Sequence, residues 1–194
     1  MMRTFIRQLV PAFVAIVVLS LLTGLVYPMV ITAVAQVGLS DKANGSVVSV
    51  NGQPVGSSLI GQNFVSAKYF HSRPSSAGTG YDGVNSGASN LGPTNETLIG
   101  AIRQRVMDYR KENGLSDVQL VPVDAVTGSA SGLDPDISIA NARLQARRVA
   151  VSRGIAPAQV LALIQRHIDD RPLSILGDSG VNVLALNIAL DSVG

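Results

Sequence analysis

The chain of 194 residues has no cysteine and no tryptophan, two histidines (His71 and His167), only 4% aromatic residues and only 14% charged ones. Without cysteine, disulfide scaffolds, thiol catalysis and cysteine-ligated zinc or iron–sulfur sites are excluded. Two histidines leave little for a histidine-rich metal site. The shortage of aromatics argues against base-stacking platforms for nucleic acid. An ordinary soluble domain is about 25% charged. The deficit here, with a mean hydropathy of +0.32, points toward a membrane. From Asp41 onward, 13 Lys and Arg balance 13 Asp and Glu, so the net charge of +2 resides in Arg3 and Arg7. A nucleic-acid binder would carry its excess on the folded part.

Between Arg7 and Asp41 nothing is ionisable, and twelve of the positions from Leu9 to Val26 are Leu, Ile, Val or Phe. Their insertion into a bilayer is favourable by roughly 4–7 kcal/mol. The stretch from Leu9 to Pro28 supplies the about 20 residues that a transmembrane helix needs, with Pro11 expected in its first turn and Tyr27 at an interface. A cleaved signal peptide would share Arg3, Arg7 and the Ala33-Val34-Ala35 sequence, but the apolar run is longer than such segments. Positive charge ahead of the helix predicts a cytoplasmic N-terminus. Ser20 and Gly24 form a small-xxx-small pair, a candidate helix-packing face. The expected organisation is an arm over 1–8, a membrane helix over 9–30, a linker over 31–45 and one extracytoplasmic α+β domain over 46–194.

In that outer part, Val47, Val48 and Val50 precede Asn51-Gly52, a hairpin dipeptide, and Leu59-Ile60 and Phe64-Val65 carry further strand signals. The segment from His71 to Asn95 holds five Gly, five Ser, three Asn and two Pro. A loop of that length in a compact domain is more often functional than idle, and Tyr69, Arg73, Tyr81 and Asp82 are its candidate docking residues. Beyond Pro93 the spacing turns helical. Thr94 or Asn95 caps a helix closed by Gly114, and Ser138 caps one running to Arg153. Pro157 opens a helix to about Asp169, and a last one covers roughly 182–190. Val121-Pro122-Val123 reads as an extended piece demoted by its proline. The fold class is α+β, helix-rich in its second half.

Motifs of self-sufficient chemistry do not hold up. Gly78-Thr79-Gly80-Tyr81-Asp82-Gly83 fits a dinucleotide fingerprint, yet loop formers follow where a helix must leave. Gly177-Asp178-Ser179-Gly180 is better read as a turn than as a nucleophile loop. Arg143, Arg147 and Arg148 lie on one side of a helix, read first as a solvated face and second as an interface. No catalytic residue and no metal site is assigned.

Several segments in order carry a resemblance. They are Gly56-Ser57-Ser58-Leu59-Ile60-Gly61-Gln62, Tyr69-Phe70-His71-Ser72-Arg73-Pro74-Ser75, Tyr81-Asp82 and Ser86-Gly87-Ala88-Ser89-Asn90-Leu91-Gly92-Pro93-Thr94-Asn95. Val121-Pro122-Val123-Asp124, Ser131-Gly132-Leu133-Asp134-Pro135 and Val181-Asn182-Val183-Leu184-Ala185-Leu186-Asn187 complete the series. Following a membrane span, they resemble the C chain of Kdp-type potassium-transporting ATPases. The resemblance implies a non-catalytic subunit of the cell inner membrane that works with a channel-like potassium-translocating subunit and an ATP-hydrolysing P-type subunit. It implies a catalytic chaperone that raises the pump subunit's ATP affinity, with no firmly bound cofactor and ATP reached through the pump subunit. A Ser-Gly-Gly-Ser-like stretch is implicated, here Ser86, Gly87, Ala88, Ser89 and Asn90. Ala88 replaces the second Gly, and its Cβ opposes a close phosphate approach. The alternatives are a purely structural lid on the channel-like subunit and a membrane-anchored hydrolase.

Overall fold

The computed structural model describes residues 2–193, which divide between Val47 and Val48 into two units. The first is built on one helical rod. Helix α1 (Met2–Leu21) passes through a π-helical turn (Leu22–Val26) into α2 (Tyr27–Gly38), and a short α3 (Ser40–Ala43) follows. Uncharged apolar residues favour this rod because lipid leaves the backbone no partner but itself. The stretch Ile6–Gly38, 33 residues, is long and apolar enough to cross a membrane, and its most apolar window is not buried within the chain. At 1.5 Å per residue it is about 50 Å long. Because helical backbone starts at Met2, Pro11 lies inside α1 and not in a first turn. Helical backbone also continues to Gly38, across part of the segment read above as a linker.

The second unit is the α+β domain. Strands β1 (Val47–Val50) and β2 (Gln53–Ser57) pair, turned by Asn51 and Gly52 at φ 52° and 78°. Both values are positive, as a two-residue hairpin turn requires. Helices α4 (Glu96–Asn113), α5 (Val123–Val126), α6 (Ile139–Arg153), α7 (Pro157–Arg166) and α8 (Val183–Asp191) accompany a small sheet of β3 (Asp136–Ser138), β4 (Ile168–Asp169) and β5 (Gly180–Asn182). Strand β5 is central and antiparallel to both neighbours, aligning Val181 with Ile137 and with Ile168. The caps follow side-chain chemistry: Asn95, Ser138 and Asn182 accept N–H bonds from the first turns of α4, α6 and α8. Gly114 and Gly154 close α4 and α6.

Several expectations are corrected. Leu59-Ile60 and Phe64-Val65 form no strand; the chain from 58 to 95 runs as an irregular strap. Helix α7 ends at Arg166, because Ile168 and Asp169 pair with Val181 and Gly180. Val121-Pro122-Val123 is not simply extended, since Pro122 precedes the short helix α5. The last helix begins at Val183, one residue later than expected, with Asn182 as its cap. Phe70, Ile137, Val149, Val160, Ile164, Val181, Leu186 and Leu190 form one core. Phe70 belongs to the strap, not to a helix, and is wholly buried. Such burial favours folding by about 1.5–3 kcal/mol, so the strap docks through its own anchor.

Candidate functional site

A strap without a ladder must find other partners for its backbone polar groups. Buried amide side chains of two helices supply them. Asn187 of α8 accepts the Phe70 N–H at 2.8 Å and donates to the Phe70 carbonyl at 3.0 Å. Gln145 of α6 treats His71 likewise, at 2.7 and 3.1 Å. Arg148, also of α6, donates to the carbonyls of Ala67 and Tyr69 at 2.7 and 2.9 Å, to Gln145 Oε1 at 2.7 Å and to Asn113 Oδ1 at 3.1 Å. It is buried, so the solvated-face reading fails for Arg148, while Arg143 and Arg147 are exposed. Burial is the main reason its guanidinium is held below its ordinary pKa. From Gln145 the network runs through Asn141 to Asp124, which also accepts the Ser138 N–H and hydroxyl. The Tyr109 hydroxyl donates to Asn141, and burial drives its pKa upward.

Beyond the anchor, the loop rests on the turn 128–135. Arg73 donates from Nη1 to Asp134 Oδ2 at 2.7 Å. The Tyr81 hydroxyl donates to the Arg73 carbonyl at 2.7 Å, and burial raises its pKa. Asp82 accepts from Asn85 Nδ2 at 2.6 Å and from the Val84 N–H at 2.9 Å, contacts that lower its pKa. The Ser86 hydroxyl and the Gly87 N–H both donate to the Ser131 carbonyl, at 3.0 and 2.9 Å. Beside them Gly132 adopts φ 68°, and a Cβ there would stand 2.6 Å from the Gly87 carbonyl oxygen. Ala88, Ser89 and Asn90 line a recess of about 360 Å³ with Thr97, Arg105 and Ser129.

The structure therefore sets Arg73, Ser86 and Gly87 against one turn, bonds Tyr81 to Arg73 and Asp82 to its own loop, and places Tyr69 elsewhere. The Tyr69 hydroxyl donates to Asp191 at 3.0 Å, and its ring lies 5.0 Å from the Arg153 guanidinium. Burial, then Asp191, raises its pKa. Ser20 and Gly24 are exposed on the membrane helix. Between strap and α4 a cleft of about 390 Å³ is bordered by His71, Arg105, Asp108 and Glu112. His71 Nδ1 is 2.9 Å from Glu112 Oε1, and this hydrogen bond is the main cause of a lowered Glu112 pKa. The sequence reading missed Asn141 and Gln145, and gave Arg148 and Asn187 no part in holding the strap. Their signal was present: 141, 145 and 148 recur at i, i+4, i+7 on the face that also carries Ala142 and Val149.

A family model described as KdpC, the K+-transporting ATPase c chain, matches residues 9–192. The chain is 57% identical over 185 residues to a potassium-transporting ATPase KdpC subunit of Mycobacterium tuberculosis (strain ATCC 25618 / H37Rv), covering 95% of this chain and 98% of that one. It is 49% identical over 189 residues to that of Caulobacter vibrioides, covering 96% and 94%. To that of Koribacter versatilis it is 48% identical over 186 residues, covering 95% and 94%.

Proposed function

Because the chain belongs to the KdpC family, the c chain of K+-transporting ATPases, and is a non-catalytic accessory subunit with one membrane-spanning helix and an extracytoplasmic domain, we propose how it serves its complex. It assembles with a channel-like potassium-translocating subunit and a P-type subunit that hydrolyses ATP. It stabilises that assembly by presenting the loop 73–95 to the outer side of the channel-like subunit. Arg73, Tyr81 and Asp82 hold the loop in shape, and the exposed Val84 beside them meets the partner. Any rise in the pump's ATP affinity is then indirect: holding one pump conformation shifts nucleotide binding by linkage.

One observation carries the indirect reading. The Ser86 hydroxyl and Gly87 N–H, donors that a phosphate would need, are directed at the Ser131 carbonyl. An extracytoplasmic loop is also separated from cytoplasmic ATP by about 30 Å of hydrocarbon. The test uses the reconstituted pump and the full chain in mild detergent. Val84→Asp should lower recovery of the partners, and Ser89→Ala should leave the ATP requirement unchanged. Azido-ATP labelling of the chain that excess ATP competes away, or a raised ATP requirement in Ser89→Ala, would overturn the indirect reading in favour of direct nucleotide contact.

A further inference from the structure

A carbonyl or carboxylate oxygen only accepts hydrogen bonds, so a ring nitrogen bonded to one must carry hydrogen. Neutral histidine has one such nitrogen, and only the imidazolium has two. In the strap, both His71 nitrogens face acceptors. Nε2 lies 3.1 Å from the Ser66 carbonyl oxygen, which also accepts the Tyr69 N–H at 2.9 Å. Nδ1 lies 2.9 Å from Glu112 Oε1 on α4.

The groups around the ring exclude the opposite assignment of each contact. A proton on Glu112 would let Nδ1 accept, but the lowered pKa of that carboxyl keeps it ionised near neutral pH. Arg148 of α6 brings a donor toward Nε2, with Nη1 at 3.5 Å. Nη1 has two hydrogens, and the Ala67 and Tyr69 carbonyls take both, at 2.7 and 2.9 Å. A second cation beside Arg148 is tolerable because Glu112 serves both, its Oε1 standing 3.8 Å from Arg148 Nε. Along the same cleft Arg105 and Asp108 of α4 carry opposite charges. The hydroxyls of Tyr81 and Tyr109 stay neutral there, their pKa values raised by burial.

We propose that His71 is held as the imidazolium in the folded chain and that its second proton governs how the loop 73–95 is presented outside the membrane. This rests on the docking role proposed above and names its regulation. Two residues before that loop, one ring ties the Ser66 carbonyl of the strap to Glu112 of α4. When rising pH removes one proton, the ring keeps one of these bonds and loses the other, while Phe70 stays anchored by Asn187. The His71 side chain is 22% exposed, which gives the proton a route to the outer medium.

The test uses the full chain in mild detergent with 15N in its histidine rings. The chain has two histidines, and the signals that persist in His167→Gln are those of His71. At about pH 7, above the ordinary histidine value of about 6.5, both His71 nitrogens should resonate as hydrogen-bearing. In Glu112→Gln the ring should lose its second proton at lower pH than in wild type. A bare His71 nitrogen at about pH 7, or a titration that Glu112→Gln does not move, overturns the imidazolium. Across the wild-type titration, protease cleavage within residues 73–95, normalised to an unfolded peptide at each pH, should rise about two- to fivefold. Recovery of the polytopic partner should fall over the same interval. Equal normalised rates or unchanged recovery overturn the regulation. A chain that recovers no partner at any pH overturns the docking role and leaves the proton assignment standing.

Discussion

The membrane helix and the strap from residue 58 to 95 invert the usual link between regular structure and fixed position. The helix is regular along nearly its whole length, yet almost every residue outside its first turn is exposed. The strap forms no strand or helix, yet Phe70 within it is completely buried. What differs is where the hydrogen bonds come from. In the helix each residue serves its own neighbours; in the strap the backbone is served by Asn187, Gln145 and Arg148 from other elements. Irregular backbone is thus fixed at the cost of buried polar side chains, and its order depends on few residues.

The sharpest way to break that arrangement is Arg148→Ala. It removes donors to two strap carbonyls, Gln145 and Asn113 at once. Each acceptor left without a donor costs about 1–3 kcal/mol, and four of them make this the largest loss. Urea unfolding of the full chain in detergent, followed by circular dichroism, should show a large loss of midpoint. Ser20→Leu with Gly24→Leu, on the exposed helix, should leave the midpoint where it was. If the two variants behave alike, the contrast between the regions is wrong. Asn187→Leu is the next in size. It leaves the Phe70 N–H and carbonyl without partners, at about 1–3 kcal/mol each, while Asn187→Asp should retain the accepted bond and lose less.

The two regions also differed in how legible they were. The membrane helix is written in a long uncharged run, and the caps at Asn95, Ser138 and Gly154 follow directly from side-chain chemistry. The strap was legible as a long Gly/Ser/Asn loop but not as a buried one. Its anchor depends on contacts such as Phe70 to Asn187, 117 residues apart, which no local pattern encodes. The three short strands were missed for a related reason: two or three residues each, they exist only through mutual pairing. Arg148 was misread because charge at helical spacing ordinarily means a solvated face; its alanine and valine neighbours were the better guide. Of the candidate docking residues, Arg73, Tyr81 and Asp82 make contacts within the domain that no local pattern made readable.

A smaller test concerns where the loop rests. At Gly132, a left-handed φ of 68° combines with a Cβ position 2.6 Å from the Gly87 carbonyl and 2.7 Å from the Ala77 nitrogen. Neither neighbour is a flexible side chain. Gly132→Ala should therefore destabilise by about 1–3 kcal/mol. It should also raise protease sensitivity between residues 77 and 95 more than elsewhere. Uniform sensitivity along the chain would mean that the loop does not depend on this turn.

The smallest effect separates charge from packing at the strap. Glu112 hydrogen-bonds to His71 at 2.9 Å, and chiefly for that reason its folded pKa lies below its ordinary value. A carboxylate with a depressed folded pKa binds fewer protons than in the unfolded chain, so it adds stability above its unfolded pKa of about 4.3. That contribution falls away as acidification passes down through the folded pKa. Glu112 is still partly exposed, and screening keeps the gain small. The difference in urea midpoint between wild type and Glu112→Gln should therefore be positive at neutral pH and shrink below about pH 4. Glutamine retains an acceptor for His71, so a difference that persists unchanged into acid would assign Glu112 a packing role in place of a charged one.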